Sequence, residues 1–300
     1  MYLEHFGLRH LPFEGLSNGS AYINIPEHQE ALNTVLFGLN TGEGFIKVVG
    51  EVGTGKTALC HDLLSRLDSD YHTIYLPNPS IRGQDLLRSI SDELGESLPP
   101  RIGSHSLQKG TREILIKLAK KGERVVVLVD EAQTMPVATL EELRLLSNLE
   151  SRAGKLIQVV LFGQPELDEK LGHYSLRQLQ QRIAFSARLE RLDREDCRIY
   201  IKQRLAHAGA RGQMIFTPAA CQRIHRGSGG IPRLINVLCN KSLIAAFAAG
   251  EFQVSRRHVA RAIGDTEGLH RWKTRRMFGT KSARRGRSIG SAHNWRSFPG

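Results

Sequence analysis

Eight residues, Gly50-Glu51-Val52-Gly53-Thr54-Gly55-Lys56-Thr57, constrain this chain more than any other stretch. They follow the apolar run Phe45–Val49 and lead into a helical pattern, so they read as a turn from a strand into a helix. Glycines at the first, fourth and sixth places permit φ > 0 and let main-chain N–H groups point inward as a ring of donors. Lys56 adds a point charge, Thr57 adds a hydroxyl oxygen, and the helix adds its positive end. A triphosphate with Mg²⁺ is the ligand that uses all of these. Gly50, Glu51, Val52, Gly53, Thr54, Gly55, Lys56, Thr57 and Ala58 are therefore the candidate ATP-binding residues, with Lys56 at the β- and γ-phosphates and Thr57 on the metal. Such a pattern arises by chance in roughly one chain of this length in a hundred, and the strand and helix around it make chance rarer still.

Val125–Val129 is a second buried apolar run, and it ends in Asp130-Glu131. Ligands of parallel sheets gather at the carboxyl ends of the strands. Asp130 is expected to hold Mg²⁺ through water, and Glu131 to polarise the attacking water as general base. Asp130-Glu131-Ala132-Gln133 resembles a helicase box, but no companion helicase motif is found, and the likeness is read as coincidence.

Three further groups are candidates for sensing or triggering hydrolysis. Gln164 follows the run Ile157–Phe162; it either faces the same crevice or is a turn residue before Pro165. Phosphoryl transfer is strongly stabilised by an inserted guanidinium. Arg182, at a helix end before Phe185–Leu189, is the candidate finger towards a neighbouring subunit, and Arg177 competes with it. Arg233 opens a helix after the Gly-rich Gly227–Gly230 turn, where a cation opposes the helix dipole unless an anion lies nearby.

Apolar runs at 45–49, 73–76, 125–129, 157–162 and 185–189 alternate with helical patterns at 57–67, 83–94, 106–120, 139–151 and 175–182. The rhythm predicts a doubly wound α/β domain with a parallel five-stranded sheet, each strand buried on both faces. After Leu192 the strands stop and four helices are expected, at 193–208, 217–226, 231–249 and 255–263. The expected organisation is a nucleotide-binding domain over 1–192, a helical domain over 193–268 and a tail over 269–300.

Of the net charge of +12, nine units lie within Arg271–Gly300, which has no acidic residue, so residues 1–270 carry only +3. The high isoelectric point is thus a property of the tail, which is expected to be disordered. It could touch nucleic acid or anionic lipid, or simply be a solvated extension. The four cysteines have no paired or metal-type spacing and are expected to be buried free thiols. No apolar run approaches the length of a membrane span, and the N-terminus has no signal-type core, so a cytosolic location is expected.

Taken in order and spacing, Gly50–Thr57, Val125–Glu131, Gln164, Arg182 and Gly229–Arg233 resemble the AAA+ ATPases: Walker A, Walker B, sensor 1, arginine finger and sensor 2. Phe6-Gly7-Leu8, Pro12-Phe13, Gly44-Phe45-Ile46 and Leu161–Leu167 narrow the resemblance to the secretion- and pilus-associated ExeA/GspA branch, and within it to members serving the mannose-sensitive haemagglutinin (MSHA) type IV pilus. The resemblance covers about residues 1–268. It implies ATP-dependent self-association, a helical lid and a sheet order of 5-1-4-3-2. It also implies an adenine cradle from Phe6, Pro12, Phe13 and the 23–28 segment, unless Phe6 and Phe13 are simply core. The membrane anchor and peptidoglycan-binding module of ExeA-type members are not read here, so contact with the envelope is expected through pilus or secretion proteins. The function implied is an ATPase that energises or regulates assembly of such a pilus or of a type II secretion apparatus. The competing expectation is a DNA-dependent AAA+ ATPase similar to transposition regulators, which the basic tail favours and the mild charge of residues 1–270 does not.

Overall fold

The structure, a computed structural model, describes residues 2–14, 25–67, 70–99, 101–151 and 154–266. The expected disorder of the basic tail and the 23–24 part of the adenine cradle lie outside the described residues.

Five strands form one parallel sheet: β1 (Phe45–Gly50), β2 (Tyr71–Leu76), β3 (Arg124–Val129), β6 (Ile157–Gly163) and β7 (Ile183–Leu189). Their order is β2-β3-β6-β1-β7, with every pairing parallel. Counted among themselves, the five strands give the 5-1-4-3-2 order that the resemblance implied. Burial on both faces holds for β1, β3 and β6. It fails for β2 and β7, where buried positions are interrupted by exposed or half-buried ones because each has a sheet neighbour on one side only.

Helices α3 (Lys56–Arg66), α4 (Gly83–Glu93), α5 (Ser104–Lys120) and α6 (Val137–Ser147) begin and end within a few residues of expectation. The helix predicted to run to Ser151 stops earlier. Glu150–Ser151 (β4) and Gly154–Lys155 (β5) pair antiparallel, with Glu150 ion-paired to Lys155 and Gly154 at a φ of 118°. The helix predicted over 175–182 is shorter: a 3₁₀ turn at Tyr174–Leu176 feeds α8 (Arg177–Gln180). Besides the single turn of helix near the N-terminus, two helices escape the sequence reading, α2 (Pro26–Asn40) and α7 (Glu166–Leu171). On α2, Ala31, Leu32, Val35 and Leu39 recur at helical spacing and cover β1 and β7 from one face.

After Leu192 come α9 (Arg194–His207), α10 (Pro218–Ser228), α11 (Pro232–Ala248) and α12 (Arg256–Gly264). Their starts are chemically marked. The Asp193 carboxylate accepts from the N–H groups of Glu195 and Asp196, and Thr217 Oγ1 accepts from Ala220 N with Pro218 at the first helical position. Phe6, Leu8, Phe13 and Ile25 join the core of these helices together with Tyr200, Leu205, Phe216 and Leu243. The short α1 (Tyr2–His5) leads this segment in. Phe6 and Phe13 are 2% and 3% exposed, and Pro12 is buried. The structure therefore corrects the expected adenine cradle: these rings fill the helical core, where their apolar area is worth most. All four cysteines are free and buried, and burial pushes the thiols of Cys197 and Cys221 up to about 12 and about 11.

Candidate active site

β1, β3 and β6 end side by side, and their tips hold the predicted chemistry. Gly50 closes β1, and the chain then turns through Gly53 (φ 81°) and Gly55 (φ 107°) into α3. Only glycine takes such angles without strain. Lys56 is 5% exposed; its Nζ donates to the carbonyls of Gly50 at 2.8 Å and Glu51 at 3.0 Å. Burial lowers its pKa, and the charges of Glu131 and Asp130 oppose that shift.

Thr57 Oγ1 donates to Asp130 Oδ2 at 2.6 Å, across 73 residues of sequence. Asp130 is 3% exposed, and its Oδ1 accepts from Glu131 N at 2.9 Å. Two hard oxygens from the start of α3 and the end of β3 therefore meet at the mouth of the phosphate loop, the donor type that Mg²⁺ takes. Tyr75 approaches the same carboxylate at 3.5 Å, and burial with that negative neighbour pushes its phenol up to about 12. No cluster of three or more His, Cys, Asp or Glu able to hold a metal by itself occurs among the described residues.

Glu131 has φ 50°, the one non-glycine residue with positive φ among those described. Its Oε2 accepts from Gln164 Nε2 at 2.8 Å and also from Gln133 Nε2. Gln133 reaches further: its Oε1 accepts from the main-chain N–H of Gln164 at 3.0 Å. Lys170 of α7 donates to the carbonyls of Gln133 and Met135 and fixes the loop from below. The structure thus brings Gln164 to the crevice, against the reading of it as a mere turn residue. It also gives Gln133, which sequence reasoning dismissed, a specific place between the tips of β3 and β6.

Arg233 lies on the other wall. Its N–H donates to Gly53 O at 3.2 Å, and a Cβ on Gly53 would sit 2.9 Å from Arg233 Cβ. The turn behind it is locked to the end of the sheet unit: Leu192 N donates to Gly230 O at 2.9 Å, and His225 Nε2 lies 3.2 Å from Leu192 O. His28 of α2, the last residue of the 23–28 segment expected at the adenine, contacts the phosphate loop itself. Its buried Nε2 lies 2.8 Å from Thr54 O, and burial lowers its pKa.

Arg182 and Arg177 stand apart from this group. Ile183 pairs with Phe45, at the start of β1, whereas Gly50 pairs with Leu189. Arg182 is therefore at the opposite end of the sheet from its own phosphate loop, about 20 Å away at roughly 3.3 Å per residue. It is exposed and close enough to Glu150 to hold that carboxyl down, after the larger effect of Lys155. Arg177 is exposed too, with its guanidinium 4.2 Å above the ring of Tyr174.

The chain is similar to known proteins in the same region. The AAA domain family matches residues 39–171. General secretion pathway protein A of Aeromonas hydrophila is 44% identical over 270 residues, which is 90% of this chain and 49% of that protein. The chain thus spans about half the length of the curated relative it matches. Among solved structures, Cdc6p of Pyrobaculum aerophilum gives a TM-score of 0.66 at 16% identity, covering 84% of this chain and 69% of that one. The ADP form of Aeropyrum pernix ORC2 gives 0.63 at 18% identity over 85% and 72%, and a Walker-type ATPase of Pyrococcus abyssi gives 0.57 at 15% over 89% and 79%. At such identities these structures establish the fold and nothing narrower.

Proposed function

We propose that this chain, which belongs to the AAA+ ATPases of the ExeA/GspA branch, binds ATP with Mg²⁺ and hydrolyses it to drive or regulate assembly of a secretion or pilus apparatus. The observation that carries the reading is the 2.6 Å contact of Thr57 with Asp130 beside the buried Lys56, with Glu131 and Gln164 joined one strand further on. Main-chain donors of residues 50–57 would hold the phosphates and Lys56 would exchange its two carbonyl partners for phosphate oxygens. Mg²⁺, held through Thr57 and Asp130, supplies positive charge to the β- and γ-phosphates. Glu131 is poised to take a proton from water in line with the γ-phosphate, and Gln164 to orient that water or report the phosphate. Arg233 would reach the nucleotide from the lid.

The division into a sheet unit to Leu192, a lid over 193–268 and a basic tail over 269–300 is part of this proposal, with the opening segment packed on the lid. Self-association is the second part. Arg182 cannot reach its own nucleotide from the far end of the sheet, so it serves only if a neighbour presents it. A place in type II secretion rests on the likeness to general secretion pathway protein A. The narrower likeness to MshM of the MSHA pilus rests on the resemblance of sequence within that branch. A cytoplasmic position, peripheral to the inner membrane through a partner, fits a chain in which no described helix is long and apolar enough to cross a membrane.

Phosphate release by the purified full chain with ATP and Mg²⁺ tests the core of the reading. Activity should disappear in Lys56→Ala, and turnover equal to that of the parent would overturn it.

A further inference from the structure

A cavity of about 340 Å³ lies between α10 and α12, lined by Ala219, Gln222, Arg223, Arg226, Gly227, Arg256 and Ile263. It shares no residue with the phosphate loop, and of the turn that leads to Arg233 it touches only the first residue, Gly227. On α10, residues 219, 222, 223 and 226 follow helical spacing and form one face. Residues 220, 221 and 224 point into the core instead. Gly227 brings the two helices together: a Cβ there would meet Ile263 Cδ1 at 2.9 Å. Apolar Ala219, Gly227 and Ile263 thus line it together with three arginines, of which Arg223 is half-buried and Arg226 and Arg256 are exposed.

Among the described residues these three arginines have no ion-pair partner, whereas the neighbouring Arg257 is paired with Glu251. Neither α10 nor α12 contains an acidic residue. Arg223 Nε is buried and has no hydrogen-bond partner. Burying a guanidinium donor unpaired is costly. Arg256 adds to the cost, since it occupies the first position of α12, where the helix dipole repels a cation. Arg223 and Arg226 are better placed, towards the end of α10. Each of these penalties is removed by one event, the entry of a doubly charged oxyanion that accepts from several planar guanidiniums at once.

We propose that this cavity is a second anion site, which binds the phosphate group of a small phosphate ester. The apolar lining at Ala219 and Ile263 takes the organic part of the ester. The phosphate can belong to a soluble metabolite or to the headgroup of an anionic phospholipid, and the chemistry of capture is the same.

The test uses the full chain carrying Lys56→Ala, which removes the phosphate loop as a competing site. Phenyl phosphate is titrated calorimetrically, and vesicles of phosphatidic acid in phosphatidylcholine are co-sedimented with the protein. Binding in the first arm assigns a soluble ester, and binding in the second alone assigns a headgroup. In either case Arg223→Gln with Arg226→Gln should weaken binding by about tenfold or more. The same pair in an otherwise unaltered chain should hydrolyse ATP like the parent, which shows that the lid still folds. If that pair fails to fold, the exposed Arg256→Gln is used for the same comparison. No binding in either arm, or binding that survives the arginine changes, overturns the proposal. So does uptake of duplex DNA with neither ester nor vesicle bound, which would make this face a nucleic-acid contact.

Discussion

Gln164 Nε2 donates to Glu131 Oε2 at 2.8 Å, so the tip of β6 holds the carboxylate at the tip of β3. The bond joins the group that would activate water to the group that would feel the γ-phosphate. Glu131→Gln should slow hydrolysis by about 10²–10⁴-fold while leaving nucleotide binding intact, because general-base catalysis is worth that much. Gln164→Ala should cost a smaller factor, about tenfold or more, with ATP still bound. Rapid-quench turnover alongside fluorescent-nucleotide binding separates the two effects. Parent-like turnover in Glu131→Gln would remove Glu131 from the mechanism.

Thr57 and Asp130 meet before any metal is considered, and Asp130 is expected to act on Mg²⁺ through water. Outer-sphere groups typically change metal affinity by 10–100-fold. Asp130→Asn should therefore raise the Mg²⁺ concentration for half-maximal hydrolysis by about that factor. An unchanged Mg²⁺ dependence would mean that the pair is structural only.

The position of Arg182 predicts complementation between subunits. Lys56→Ala cannot fire its own site but still presents Arg182, and Arg182→Ala has an intact loop but offers no finger. Mixed, the two inactive proteins should regain part of the activity, as phosphate release would show. Absence of any rescue would leave Arg177, or no finger at all.

How much of this was legible in the sequence follows from the kind of interaction involved. Gly50–Thr57, Asp130-Glu131 and Gln164 could be read because each sits at the end of an apolar run, and strand ends converge in a parallel sheet. The contact of His28 with Thr54 O could not, since it spans 26 residues and belongs to a helix whose polar face hid its 3–4 apolar spacing. Gln133 was visible as a letter, but its hydrogen bonds to Glu131 Oε2 and from Gln164 N need the tips of β3 and β6 side by side, which no local pattern encodes. Phe6 and Phe13 were noticed through the resemblance and left between adenine and core, because the return of the N-terminus to α9 and α11, which decides for the core, is a tertiary fact. Arg182 was found by its place before β7, while its remoteness from its own loop needed the register of β7 on β1.

His28 makes stability depend on pH. Burial lowers its pKa below the ordinary value of 6.5, so the unfolded chain takes up a proton that the folded one refuses. The stability it contributes is complete above about pH 6.5, the unfolded value, and is lost as the pH falls from there through the lowered pKa of the folded state. His258, also held down by burial and by Arg257, acts in the same direction. Melting temperature should fall between pH 7.5 and 5.5, and less steeply in His28→Gln, whose amide can still reach Thr54 O without charging. An equal slope in parent and variant would exclude His28 as a cause.

Gly230 gives the sharpest mechanical test. It has φ 78°, and a Cβ there would lie 2.2 Å from Leu192 O, in the residue whose N–H donates to Gly230 O and anchors the turn carrying Arg233. Gly250 has a similar φ of 69° but open space around it, so Gly250→Ala measures the cost of the backbone angle alone. That cost is about 1 kcal/mol. Gly230→Ala must in addition push Leu192 away, and total losses of about 3 kcal/mol or more are expected. The displacement also draws Arg233 N from Gly53 O, so the KM for ATP should rise in Gly230→Ala and not in Gly250→Ala. If both variants lose the same stability and keep the parent KM, the junction between Leu192 and Gly230 does not hold the lid against the phosphate loop.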